Sequence, residues 1–339
     1  PLSFRNSRIP HLRFLFPRAR SLLRTFPDII CEDIKDRAIF LLFVHNHGNF
    51  RVSSGVNTRH FRHTAILCPQ RRVDAPYRIL RYHFLRQLTK AYVYTGHGFK
   101  CTFNYNCGSP LSDDEVQEYV LSRGHEIAVH GAQHRAEGLL RPIEGIREIL
   151  DCRLALESRF HTIIRGCAYP DSGITRFENG ADYQTIRNYL KECDIAYART
   201  LGADNDSFRL PADFLAWMPS VHHSNPKAME YAEKFLSINY SPAVYDDARS
   251  ARLFFMWGHT YEFENSGNWE LLEELCKTLG GKDDIWYATN MEIYSYVEAY
   301  HSLHYSADGR ILYNPTLLQV WFEKDRKLYC IGPGETLTL

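Results

Sequence analysis

At 339 residues, with 45% apolar and 14% aromatic content, the chain can bury a sizeable core and is long enough for one α/β barrel domain with an extension. Lys plus Arg and Asp plus Glu balance at 40 each, so the whole-chain charge points to neither a nucleic acid nor an anionic membrane as partner. Such a composition excludes a disordered or fibrous chain over most of the length.

The charge is unevenly placed. Residues 1–99 hold fifteen Arg and two Lys against five acids, a net charge of +12, and the remainder carries −12. The nine cysteines are widely spaced and contain no Cys-x-x-Cys pair. They fit neither a disulfide framework nor a zinc ribbon, and they point to a reducing, cytoplasmic compartment. No apolar run reaches the ~18 residues of a membrane span, and no signal peptide is read in the Arg-rich opening.

Residues 1–98 mix Leu, Phe and Arg without a sustained period of two or 3.6, with apolar runs such as 38–44 set between basic loops. Three readings stand for this stretch: a basic binding arm, a divergent part of a barrel, or translation out of the natural coding frame. From Phe99 the pattern becomes regular. A strand at 100–105 and a turn at 108–110 lead to a helix with a capping box at Ser112 and Glu115, closed by Gly124. A strand at 126–130 follows.

The alternation continues with a helix at 143–159, a strand at 163–169, a helix at 182–193 and a strand at 195–199. Further on come a helix at 227–237, a strand at 253–258, a helix from Asn268 to Gly280, a strand at 285–289 and a helix at 291–303. Repeated strand and helix units predict an α/β fold with a parallel sheet, either a barrel or an open sheet. The tail predicts a hairpin at 305–313 around Asp308-Gly309 and two strands at 319–331 turning at 324–325. The expected division is a basic segment 1–98, a domain 99–304 and a small β appendage 305–339.

His130 and His134 form a His-x3-His pair, a spacing that lets two imidazoles reach one metal ion. With 16 histidines, chance alone supplies about one such pair, so two ordinary histidines remain the competing reading. Context favours a site: the predicted strand ends on His130, at the carboxyl edge of a parallel sheet, where α/β active sites lie. Gly124-His-Glu-Ile-Ala-Val-His-Gly-Ala-Gln-His134 resembles the second motif of the NodB-type polysaccharide deacetylases, carbohydrate esterase family 4. Thr102-Phe-Asn104, Arg165-Gly-Cys-Ala-Tyr-Pro170, Phe214-Leu-Ala-Trp-Met-Pro219 and Trp257-Gly-His259 are similar to further family segments, in the family's order. Trp257-Gly-His-Thr-Tyr-Glu-Phe263 and Ile285-Trp-Tyr-Ala-Thr-Asn290 are similar to phrases of one bacterial subgroup.

The resemblance covers residues 99–339. It implies a distorted NodB-type (β/α) barrel, incomplete at its N-terminus, and a divalent metal, most naturally zinc, held by His130 and His134. It further implies that His259 is the general acid and that Tyr169, Pro170, Asp171 and Trp217 shape the substrate groove. The competing readings are a His259 bonded to a loop carbonyl and, for Tyr169 and Trp217, core packing. Asp171 stands where the family carries an aromatic residue. Arg165 lies five residues before Pro170 rather than two, which weakens it as an orienter of the base. His222 and His223 read as a solvated loop pair, and Glu262 and Glu264 as surface charges.

The family's first motif, an Asp-Asp pair supplying the base and the third metal ligand, is missing: no acid occurs between Asp74 and Asp113. A change of coding frame just before Phe99 accounts for both this gap and the charge shift. Phe84-Leu-Arg-Gln87 can be encoded so that reading one base later gives Ser-Tyr-Asp, close to that motif.

The expected function is therefore metal-dependent removal of acetyl groups from N-acetylated sugars, in a chain whose base is absent as written. The alternatives are a non-catalytic carbohydrate-binding relative and a deacylase of a small non-sugar amide. An N-acetylated carbohydrate is the expected partner. A nucleic-acid role for the basic stretch has no motif behind it, and a membrane has no span.

Overall fold

Continuous apolar runs bounded by turns are what strands buried on both faces of a parallel sheet require, and they place the strands here. A computed structural model of the chain describes residues 38–45, 94–107, 113–202, 206–238, 251–324 and 327–339. These fall within one unit, Asp36–Leu339. The turn at 108–110, Ser112 of the capping box, Asp74 and the out-of-frame reading of residues 84–87 lie outside the described residues.

Among the described residues, eight parallel strands form one sheet: β1 (Ala38–His45), β2 (Cys101–Tyr105), β3 (Glu126–Val129), β4 (Gly166–Ala168), β5 (Tyr197–Arg199), β6 (Val221–His222), β7 (Arg252–Trp257) and β8 (Ile285–Tyr287). Their order is β5-β4-β3-β2-β1-β7-β6, with β8 also paired to β1. The sheet thus takes its middle strand from the Arg-rich stretch that composition set apart: Val44 is in register with Phe103, and Leu41 with Phe255. The apolar run at 38–44 has the composition expected of a strand flanked on both sides in a parallel sheet.

The backbone just before and within β6 brings the two ends of this order together. Trp217 N–H donates to the Ala198 carbonyl (3.0 Å) and Thr200 N–H to the Trp217 carbonyl (2.9 Å), while Ser220 N–H donates to Phe255 (2.8 Å) on β7.

Among the described residues the connecting helices are α1 (Asp113–Tyr119), α2 (Pro142–Phe160), α3 (Tyr183–Glu192), α4 (Ala228–Leu236), α5 (Thr260–Ser266), α6 (Trp269–Leu279) and α7 (Asn290–His301). Local chemistry fixes their ends. Pro142 opens α2, Asp182 accepts from the Thr185 N–H at 2.8 Å to cap α3, and Thr289 with Glu292 makes a capping box on α7. None of the described helices is long and apolar enough to cross a membrane.

Alternation along the strands separates two cores. Cys101, Phe103 and Tyr105 of β2 join Ile127 and Val129 of β3 in a cluster with Ile149, Leu156 and Leu190 from α2 and α3. A second cluster gathers Ala168, Tyr197, Trp217, Leu253, Phe255 and Trp257 with Ile293 and Val297 of α7.

The tail forms β9 (His304–Tyr305), β10 (Ile311–Tyr313), β11 (Val320–Lys324), β12 (Lys327–Ile331) and β13 (Thr336–Thr338). β10 pairs antiparallel with β9 and β13, and β11 with β12. Leu312, Val320, Phe322 and Ile331 bury against Ala299 and Leu303 at the end of α7.

Candidate functional site

His130 follows β3 directly, and its N–H donates to the Tyr105 carbonyl at 2.9 Å, so the residue is fixed at the carboxyl edge of the sheet. Its ring is fully buried. Nδ1 lies 2.8 Å from the Ala168 carbonyl. A carbonyl can only accept, so Nδ1 carries the hydrogen and Nε2 presents its lone pair.

Four residues on, His134 adopts a left-handed conformation (φ 60°) that turns its ring back, and its Nε2 stands 3.1 Å from Nε2 of His130. Nitrogens at that separation suit two bonds of about 2.0–2.1 Å to one ion, and a histidine oriented through its other nitrogen is the usual arrangement of a metal ligand. The pair therefore fits a zinc-like ion as two of its ligands. No carboxylate, thiol or third imidazole completes a cluster with them among the described residues.

The loop between the two histidines is held by α2. Glu148, almost fully buried, accepts from the Gln133 N–H (2.8 Å) and from Nε of Arg135 (2.8 Å). Gly131 (φ 74°) lets this approach happen: a β-carbon there would lie 2.9 Å from the Glu148 carboxylate. Burial lowers the pKa of His134, and the nearby charge of Asp171 works in the opposite direction.

His259 lies two residues past the end of β7 and is mostly buried. Burial lowers its pKa, opposed by the carboxylate of Glu262, whose Oε1 lies 3.0 Å from Nδ1. β3 and β7 are parallel strands of one sheet, so His130 just past β3 and His259 just past β7 lie toward the same edge of it.

Glu262 is not a surface charge. It sits in the first turn of α5, its Oε2 lies 2.5 Å from Nε2 of His223 and 3.3 Å from Nε2 of His222, and it also accepts from the His259 N–H (3.0 Å). Burial pushes its carboxyl up, but the hydrogen bonds from the three histidines outweigh this and hold it far below the ordinary carboxylate range. Nor is His223 solvated. It is buried at 3% exposure and stacks on Phe263 at 4.0 Å.

Sequence reasoning missed this cluster because β6 is only two residues long and carries no periodic signal. The adjacent His222-His223 and the Glu three residues after His259 were the available clues.

Two groove residues are corrected. Tyr169 is fully buried and its hydroxyl donates to the Leu215 carbonyl at 2.8 Å. Trp217 is fully buried among Tyr197, Phe214 and Phe255. Both rings pack in the interior, Tyr169 in the first core and Trp217 in the second. Pro170 is likewise buried, whereas Asp171 is exposed. Arg165 pairs with Asp194 (2.8 Å) at the start of β4, the opposite edge from the histidines, and orients nothing at the site. A pocket of about 260 Å³ lies at that same opposite edge, lined by Glu126, Arg165 and Thr289 among others.

No family model and no curated protein matches this sequence. Among solved structures, the chain is similar to an allantoinase (12% identity, TM-score 0.52), with 81% of this chain and 93% of the other covered. It is also similar to a family 4 acetyl xylan esterase from Clostridium thermocellum in complex with a cobalt ion (14% identity, TM-score 0.39, covering 76% and 90%). A third similarity is to a mutant of a CE4 family pseudoenzyme with restored enzymatic activity (10% identity, TM-score 0.39, covering 77% and 69%). The allantoinase likeness, over four fifths of this chain, is one of fold: a mixed α/β architecture built on a parallel sheet.

Proposed function

We propose that this chain is a hydrolase of the polysaccharide-deacetylase type, acting on the acetamide of N-acetylated sugars with a zinc-like ion on His130 and His134. The observation that carries this reading is the pairing of two imidazole Nε2 atoms at 3.1 Å, one of them oriented by a carbonyl, at the sheet edge that also bears His259. A divalent ion there would polarise the acetamide carbonyl and acidify a water.

The chain's own residues supply the rest. Glu148 and Gly131 hold the loop that presents His134. His259, whose pKa burial lowers and which Glu262 orients, takes up a proton and returns it to the departing amine.

The second reading, a non-catalytic carbohydrate-binding relative, is favoured by one specific observation: no carboxylate completes the His130–His134 pair among the described residues. A site with two protein ligands holds its metal weakly.

Acetate release from N-acetylglucosamine oligomers by the purified chain, with and without added zinc, separates the two. Turnover that needs zinc, disappears in His130→Ala and falls by about 100-fold or more in His259→Ala is the expected result. Oligomer binding without acetate release gives the second reading its support and removes the first.

A further inference from the structure

β6 and β7 run parallel with His222 in register with Trp257, and the His223 N–H donates to the Trp257 carbonyl at 2.9 Å. This pairing brings the ends of two strands and the first turn of α5 to one point. His222 and His223 come from β6 and the residue after it, and Glu262 comes from α5. Their ligand atoms all lie within 4.8 Å of one another. We propose that His222, His223 and Glu262 form a second divalent-metal site, for an ion of the zinc class, separate from the His130–His134 pair.

Two imidazoles and one carboxylate are a recurrent donor set for zinc with open positions, and the mixture of nitrogen and oxygen donors suits zinc, cobalt or iron rather than calcium or magnesium. The rings are already held in place. His223 is stacked between Phe263 and the backbone of Gly258, where a β-carbon would come within 1.7 Å of its Cδ2. His222 packs edge-on against Trp257 at 4.5 Å, and its Nδ1 lies 2.6 Å from the Ser224 hydroxyl. Nδ1 also accepts from the Ser224 N–H at 3.2 Å; an ion on Nε2 would leave the ring hydrogen on Nδ1, where the hydroxyl can accept it in place of that backbone bond.

Access is open on one side: the side chains of His222 and Glu262 are 22% and 25% exposed, while His223 is 3% exposed. Without an ion, the two imidazoles donate to the ionised Glu262. An ion placed there replaces those hydrogens and meets three groups already converged on it.

The test is a cobalt(II) titration of the full-length, chelator-treated chain, read by the visible absorption band of the bound ion, with zinc as competitor. Four proteins are compared: the parent, His222→Ala, Glu262→Gln, and a double variant carrying His130→Ala and His134→Ala. The expected result is a band in the parent and in the double variant, with affinity reduced by about tenfold or more in His222→Ala and Glu262→Gln. A band that survives both of those substitutions, or that disappears only in the double variant, overturns the proposal, as does a parent that gives no band. Because His222 is partly exposed, its variant keeps the test valid should Glu262→Gln fail to fold, which circular dichroism reveals. Absence of acetate release from the zinc-supplied parent, with the band retained, would instead count against the deacetylase reading alone.

Discussion

Gly258 occupies the tightest point of the histidine cluster, and its replacement is decided by space. The His223 ring cannot retreat from an added β-carbon at 1.7 Å, because Phe263 stacks on it and its own N–H is bonded to Trp257. Gly258→Ala should cost about 3 kcal/mol or more, read from a urea unfolding curve. Glu148 allows a finer comparison. Glu148→Ala leaves the Gln133 N–H without its buried acceptor and should cost about 2 kcal/mol. Glu148→Gln keeps a neutral acceptor and loses only the ion pair to Arg135, which is 40% exposed, so it should cost under about 1 kcal/mol. Equal losses in the two variants would show that the ion pair, not the loop hydrogen bond, holds His134 in place. At this scale His130 and His259 were singled out because predicted strands end at or just before them on the same edge of the sheet, and His134 because it stands four residues after His130. Glu262 was not, since its partners lie 39 and 40 residues away in sequence and meet it only through the pairing of β6 with β7.

The elements themselves were read well where they are long. α2, α3, α4, α6 and α7 all begin and end within two residues of their sequence positions, because their caps and apolar spacing are local signals. β4 and β5 are shorter than expected at three residues each, and the apolar residues before them lie in irregular segments leading into the strands. Trp217 and Tyr169 show why an aromatic near a strand end is a poor sign of a groove: each of the two cores takes a large ring there to fill it.

One carboxylate ties several elements together at the other edge of the sheet. Glu126, at the start of β3, accepts from Tyr197 of β5 (2.6 Å), Thr102 of β2 (2.8 Å) and the Met291 N–H of α7 (3.0 Å). Burial pushes its pKa from 4.5 to about 7, against the pull of those hydrogen bonds. The folded chain therefore keeps this proton to a higher pH than the unfolded chain does. The contribution is full below about pH 4.5 and is lost as pH rises through about 7, at most about 3 kcal/mol in all. Urea midpoints measured from pH 4.5 to 8 should fall with this carboxylate present, and Glu126→Gln should flatten the slope. An unchanged slope in that variant would assign the pH dependence to another group.

For the molecule as a whole, everything turns on which segment fills the middle of the sheet. β1 pairs with β2, β7 and β8, so removing it would separate the strand that leads toward His130 from the strand that carries His259. Composition argued against this stretch: it lies within the Arg-rich 99 residues, and the Asp-Asp motif of the family it resembles is absent from it. The ladder argues for it, with five register pairs to β7 and four to β2. Proline separates these arguments, because it cannot donate to a ladder and is excluded from central strands. Leu41 is in register with Phe255 and sits in the middle of β1. If β1 is the central strand, Leu41→Pro should remove cooperative unfolding, with loss of near-ultraviolet dichroism from the core aromatics. A Leu41→Pro protein that melts like its parent would place the central strand elsewhere and leave residues 99–339 to fold without this one. The same substitution bears on the site, since His130 and His259 share an edge only while the strands between them hold.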